Sequence, residues 1–249
     1  MSSPVDPFEE PLTPRERSQV VSQGVAVGIA TAAYGVSFGA IATAAGLSVL
    51  QTCALSLLMF TGASQFALVG VIAAGGAPLA GAATAGLLGV RNSLYGMRLA
   101  PTLAWRGWRR AAAAHILIDE STAMSLTRPT RAGARVGFLS TGLAVFVLWN
   151  LATMLGALTG EVLGDPRAYG LDAAVGAAFL ALLWPRLKDA RNVALALAAA
   201  AAALLLVPIT PAGVPVLAAA GVALLAGVMG GGEDDTEFPS VQDVAGGPA

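Results

Sequence analysis

The chain has 249 residues, 56% of them hydrophobic and only 12% charged, with a formal net charge of −1 and a mean hydropathy of +0.72. A soluble domain carries roughly a quarter charged residues, so an ordinary soluble globular protein is excluded, and the near-zero net charge gives no case for a nucleic-acid partner. The single cysteine, Cys53, rules out a disulfide framework and a cysteine-ligated metal site; in its apolar run it is expected to pack.

The N-terminal stretch MSSPVDPFEEPLTPRERSQ is acidic and proline-rich, with no basic region ahead of a short apolar core, so it is not read as a secretory signal. Residues 1–19 are expected to form a disordered tail and 20–229 a transmembrane domain. Apolar segments at 20–46, 49–73, 77–98, 136–164, 171–185, 190–208 and 213–229 are candidates to cross a hydrocarbon layer of about 30 Å, which takes roughly 20 residues. Segment 111–127, AAAAHILIDESTAMSLT, is an eighth candidate that carries His115, Asp119 and Glu120. It either crosses or is re-entrant, and a re-entrant segment must be buried among the other helices or line a cavity. The expected fold is therefore an all-α, polytopic transmembrane bundle of seven to eight spans. Arginine placement favours the re-entrant version with seven crossings and the N-terminus outside, although Arg15 and Arg17 then lie on the wrong side. The acidic, glycine-rich segment 230–249 is expected to be a disordered cytoplasmic tail.

On the first span, Gly24, Gly28, Gly35, Gly39 and Gly46 fall on one face at 100° per residue. Small-residue faces let membrane helices approach closely, so the first expectation is a packing surface and the second the wall of a translocation path. Phe60-Thr61 and Trp149-Asn150, each followed at a similar distance by an Arg-Leu pair, give a faint hint of an internal repeat.

Nine of the fifteen acids lie in the tails, which leaves Asp119, Glu120, Glu161, Asp165, Asp172 and Asp189 in the body. Arg91 sits deep in its span, where a charge costs at least a few kcal/mol and so faces the bundle interior. Arg91, Tyr95 and Arg98 share a helical face, with Asn92 beside it. Arg91 either pairs with a buried carboxylate or with helix-end carbonyls, or it contacts a substrate. A guanidinium holds a carboxylate bidentately, so the second role points to an anionic group on the molecule transported. His115, Asp119 and Thr122 have the spacing of one helical face, and Asp119-Glu120 is the only adjacent acid pair outside the tails. These carboxylates are either structural or carriers of a coupling proton. Asp172, at the start of a span, suits a helix N-terminus. The chain has no Walker motif, and a single histidine gives no histidine metal cluster. A hydrolase drawn from Ser64, His115 and Asp119 lacks the GxSxG elbow at TGASQ, so no enzyme and no cofactor is expected.

The ordered set FTGASQFALVG, LLGVRNSLYGMRLAP, HILIDESTAMSLT and YGLDAAVGAAF, from about Gly24 to Met229, resembles the AzlC family, the large subunit of branched-chain amino acid exporters. In that family the arginine motif usually reads Arg-His; here Asn92 stands in place of the histidine, which keeps a hydrogen-bonding side chain and removes a titratable one. The resemblance implies a multi-pass protein of the bacterial cytoplasmic (inner) membrane that exports valine, leucine, isoleucine or related apolar amino acids. It also implies a small AzlD-like membrane subunit as partner, for which the glycine face of the first span offers a surface. On this reading Arg91, Asn92, Tyr95, Gln65 and Phe66 contact the substrate, with its carboxylate on Arg91 and its ammonium on Asp119 or Glu120. Phe66, Leu94 and Trp149 supply apolar walls, and Asp119 or Glu120 carries the proton. The alternative is a non-transporting structural or regulatory membrane subunit, whose intramembrane charges would be neutralised internally with no cavity.

Overall fold

The computed structural model describes residues 7–163, 180, 183–211 and 213–229; the expectations for 171–179, Asp165, Asp172 and the 230–249 tail lie outside these. Among the described residues the protein is entirely helical. Helix α1 (Pro14–Ala44) opens on a reciprocal cap in which the Thr13 hydroxyl accepts from the Glu16 N–H and the Glu16 carboxylate accepts from the Thr13 N–H, with Pro14 in the first turn. Its 31 residues extend about 46 Å, longer than a hydrocarbon layer. The other long apolar helix is α7 (Arg131–Leu163).

These two helices pack side by side through glycine. A Cβ added at Gly24 would lie 2.7 Å from the Ser140 hydroxyl, at Gly28 2.9 Å from Ala144 Cβ, and at Gly35 3.0 Å from Ala152 Cβ; one at Gly39 would fall on the Thr153 carbonyl oxygen. The relation is mutual, since Gly156 abuts the Val36 carbonyl and Gly160 the backbone of Ala40. Residue numbers rise together along the contact, so α1 and α7 are parallel. The glycine face seen in the sequence is thus a packing surface, and Gly24, Gly28, Gly35 and Gly39 are already covered by α7, which removes them as a docking face for a partner.

Between α1 and α7 the chain makes two helical hairpins around α4 (Pro78–Leu103). The first is α2 (Val49–Leu58) and α3 (Ala63–Ala73). It starts where Thr43, Gln51 and Gly160 line one cleft, runs down α7 through the Ser56–Thr153 contact at 3.4 Å, and reaches Phe146 with Phe60 at 5.1 Å. It then turns back, with Ser64 near Gly89 and Leu68 and Val71 against Gly81. Helix α4 is antiparallel to α7, since the Leu103 carbonyl accepts from Arg135 Nε at 2.8 Å while Asn92 lies further along α7 at the level of Leu117. A helix rising along α4 from Gly89 to Gly81 therefore returns to the end from which it came. The expected single span 49–73 is corrected to two half-helices. The break has a local cause: Gly62 holds φ +56, a left-handed backbone that suits glycine, and Thr61 N–H closes a tight turn onto the Met59 carbonyl.

The second hairpin, α5 (Gly107–His115) and α6 (Asp119–Leu126), enters from the opposite end. Trp105 packs on Phe138 at 5.7 Å, His115 on Phe146 at 5.5 Å and Ile116 against Gly142; the chain then comes back to Gly137 with Met124. Segment 111–127 therefore folds back on itself as a hairpin and is not one continuous helix, the shape that the re-entrant expectation requires. His115 and Asp119 stand on different helices across a break at 116–118, so they do not share a helical face. The hinted repeat also dissolves, because Phe60-Thr61 forms a hairpin tip while Trp149-Asn150 lies inside a continuous helix.

Beyond α7, helices α8 (Ala190–Leu206) and α9 (Val214–Met229) form an antiparallel pair. Gly213, at the end of their turn, rests against Ala80 and Val71. The core has two centres. Phe38, Phe60, Phe66, Val145 and Trp149 cluster where the first hairpin meets α1 and α7, and Leu99, Leu103, Ile116, Leu117 and Phe138 cluster under the second.

Candidate functional site

Both hairpin tips end at one cavity of about 230 Å³ midway along α1 and α7. It is lined by Phe60, Thr61, Gly62 and Ala63 from the first tip, Ile118, Asp119 and Glu120 from the second, Arg91 from α4, Thr31 and Tyr34 from α1, and Phe66, Val145 and Trp149. Arg91 Nη2 lies 2.8 Å from Asp119 Oδ2, and each side chain keeps a quarter or so of its surface open (29% and 24%). The pair is thus sheltered but reachable from the cavity. Glu120 has no ion-pair partner among the described residues.

The tips are built from local chemistry. At the second, the Ser121 hydroxyl accepts from the Ile118 N–H at 3.0 Å and donates to the Ile116 carbonyl at 2.9 Å. The Leu117 carbonyl accepts from Asn92 Nδ2 at 3.1 Å. Irregular backbone at this depth is tolerated only when its polar groups are met, and here two side chains meet them. Asp119 and Glu120 occupy the first turn of α6, where a helix N-terminus favours negative charge. The first tip differs in that α3 starts at Gly62 with no side-chain cap, and Gly62 and Ala63 at that bare N-terminus line the cavity. The start of α6 thus brings two carboxylates to the cavity and α4 a guanidinium, so its lining carries both signs of charge.

Of the residues expected at a substrate site, Arg91, Phe66, Asp119 and Glu120 are brought together here. Asn92 faces the other way, holding the second tip and lining a separate cleft. Tyr95 packs on the Leu99 and Phe138 cluster. Gln65 is fully buried, its Nε2 3.5 Å from the Leu55 carbonyl, so it braces the first hairpin from behind. Trp149 forms a wall, whereas Leu94 is exposed on the outer surface. Of the drawn hydrolase set only Asp119 reaches the cavity; Ser64 is buried beside Gly89, and His115 lies on Phe146. Sequence reasoning missed Phe60, Thr61, Gly62, Thr31 and Tyr34. The usable signal was Gly62 between a threonine and an alanine within an apolar run.

The family described as "AzlC protein" matches residues 26–163, more than half the chain and nearly the whole unit from α1 through both hairpins to α7. This chain belongs to the AzlC family. Among curated proteins, the inner membrane protein YgaZ of Escherichia coli (strain K12) is 31% identical over 147 residues, covering 56% of this chain and 59% of that protein. The match therefore spans less than two thirds of the relative's length. No solved structure matches. The AzlC match places all the cavity's residues inside the family unit and leaves α8 and α9 beyond it.

Proposed function

We propose that this AzlC protein is a secondary transporter that exports branched-chain or similar apolar amino acids across the bacterial inner membrane, coupled to proton movement, with a small AzlD-like membrane subunit as partner. The observation that carries the proposal is the Arg91–Asp119 pair at the meeting point of two hairpins that enter from opposite ends. A zwitterion can replace such a pair, its carboxylate taking Arg91 and the bare α3 N-terminus, its ammonium taking Asp119 or Glu120. Discontinuous helices with their ends at a midplane site are a recurring plan of secondary transporters. Phe60, Phe66 and Trp149 offer an apolar wall for the side chain. Thr61 Oγ1 and Trp149 Nε1, both buried here, have no hydrogen-bond partner among the described residues, and buried polar atoms normally have one. The cavity also counts against a purely structural subunit.

Orientation follows from charge. The N-terminus of α1, the C-terminus of α4, the base of the second hairpin and the N-terminus of α7 lie at one end, which holds Arg15, Arg17, Arg98, Arg106, Arg109, Arg110, Arg128, Arg131 and Arg135. Among the described residues the opposite end, at 44–48 and 73–77, holds no cation. Cytoplasmic segments are the basic ones, so the N-terminus faces the cytoplasm. This reverses the orientation favoured from the linear sequence, because two hairpins that do not cross bring every one of these arginines to the same side. The proposal is tested with vesicles loaded with radiolabelled leucine or valine: protein plus small subunit should release them on a proton gradient, and Arg91→Ala should not. Gradient-independent leakage equal in both would remove the transporter reading.

A further inference from the structure

A second cleft, of about 320 Å³, runs between α4 and α5 on the outside of the bundle. It is lined by small residues, Ser93, Gly96 and Ala100 on α4 and Ala113 and Ala114 on α5, together with the buried Leu99, Leu117 and Phe138. From Leu103 to Asn92 it follows eleven residues of helix, roughly 16 Å of axial rise, a groove suited to an acyl chain. Arg110 and Trp105 stand at the mouth. Around them the sequence WRGWRR, residues 105–110, adds Arg106, Trp108 and Arg109; Trp108 is 76% exposed, and the Arg109 guanidinium lies 5.7 Å from its ring centre. None of the residues of α5 is buried, so this corner is covered by nothing else in the described chain.

We infer that this cleft is a binding site for an anionic phospholipid of the membrane leaflet at the basic end, with one acyl chain in the α4–α5 groove and its phosphate against Arg106, Arg109 and Arg110. Tryptophan and arginine together at a bundle end are an interfacial composition, and cationic clefts between helices are places where acidic headgroups dock. The adjoining apolar groove distinguishes the site from a simple charged patch, because it rewards a tail as well as a headgroup. The amino acid cavity is walled off from it by Leu117 and the second hairpin tip, so the inference does not depend on what is transported.

The test is native mass spectrometry of the delipidated full chain titrated with phosphatidylglycerol and with phosphatidylcholine of identical acyl chains. Each cation near an acidic headgroup is worth about fivefold in affinity, so phosphatidylglycerol should bind at least tenfold more tightly. Arg109→Gln with Arg110→Gln should bring the two lipids within about twofold of one another. Gly96→Leu, which fills the groove while keeping the charges, should weaken both lipids, and glycerol phosphate without tails should not compete at millimolar concentration. A circular-dichroism melt verifies that each variant is folded. Equal binding of the two lipids by the unaltered protein would overturn the inference, as would displacement by glycerol phosphate, which would indicate a mere anion site, or phosphatidylglycerol binding that survives both variants.

Discussion

The α1–α7 pair and the two hairpins are built on opposite principles, though all consist of apolar helix. The pair is long, continuous and glycine-locked, and its two helices are in register over five turns or more, so that a carbonyl of one occupies the space a side chain would take on the other. The hairpins are assembled from helices of eight to eleven residues, shorter than a membrane crossing, and their breaks carry the polar groups. Comparison of the two teaches where this AzlC protein keeps rigidity and where it keeps chemistry. Close helix contact supplies a fixed frame, and the irregular tips, held from that frame by a few side chains, place charges at its centre.

The largest effect should come from breaking the frame. Gly156→Ala puts a methyl group onto the Val36 carbonyl, and overpacking of this kind costs about 3 kcal/mol or more when neither backbone can yield. The folded fraction after extraction, followed by size-exclusion chromatography, should collapse. Gly70→Ala and Gly86→Ala meet nothing within 4 Å; in helices they should be neutral or stabilising by up to about 1 kcal/mol, and a loss like that of Gly156→Ala would undo the contrast between locked and open glycines.

Next comes the charge pair. Arg91→Lys keeps the charge but loses the planar fork. Loss of a charge-assisted hydrogen bond is worth about 1.5–3 kcal/mol, so apparent substrate affinity should fall tenfold or more while yield of folded protein stays near normal. An equal fall in both would mean that the pair only holds the second hairpin in place.

The hypothesis of proton coupling separates the two acids. Asp119→Asn and Glu120→Gln are compared in vesicles for gradient-driven transport and for exchange of internal with external amino acid, which needs no net proton movement. One substitution should abolish the first and spare the second. Gradient-driven transport retained in both, with unchanged pH dependence, would place coupling elsewhere. A smaller effect is expected for Asn92→Leu, which removes the bond to the Leu117 carbonyl; interhelical hydrogen bonds in membranes average about 0.6 kcal/mol, so transport should drop a few-fold with little change in melting.

The frame was legible in the sequence because composition and the 100° periodicity of Gly24, Gly28, Gly35 and Gly39 report it directly. The hairpins were half legible. Segment 111–127 betrayed itself by three titratable groups in seventeen residues, but 49–73 did not, since a hydropathy profile cannot tell a continuous span from two half-helices folded back at Gly62. The same blindness placed Gln65, Asn92 and Tyr95 together with Arg91, because their actual directions depend on which helix each one packs against. The proposed orientation likewise differs from the one the linear sequence favours, because it turns on how many segments cross. Arg91, Asp119 and Glu120 stood out from sequence alone, since charge in an apolar body is rare and costly.

The central claim is that the cavity takes a zwitterion by replacing the Arg91–Asp119 pair, and equilibrium binding of leucine and two analogues to the purified protein tests it most directly. Leucine should bind, whereas 4-methylpentanoate, which lacks the ammonium, and isopentylamine, which lacks the carboxylate, should each bind at least tenfold more weakly, the expected cost of one lost charge-assisted contact. Binding of all three with equal strength, or of none, would contradict the account.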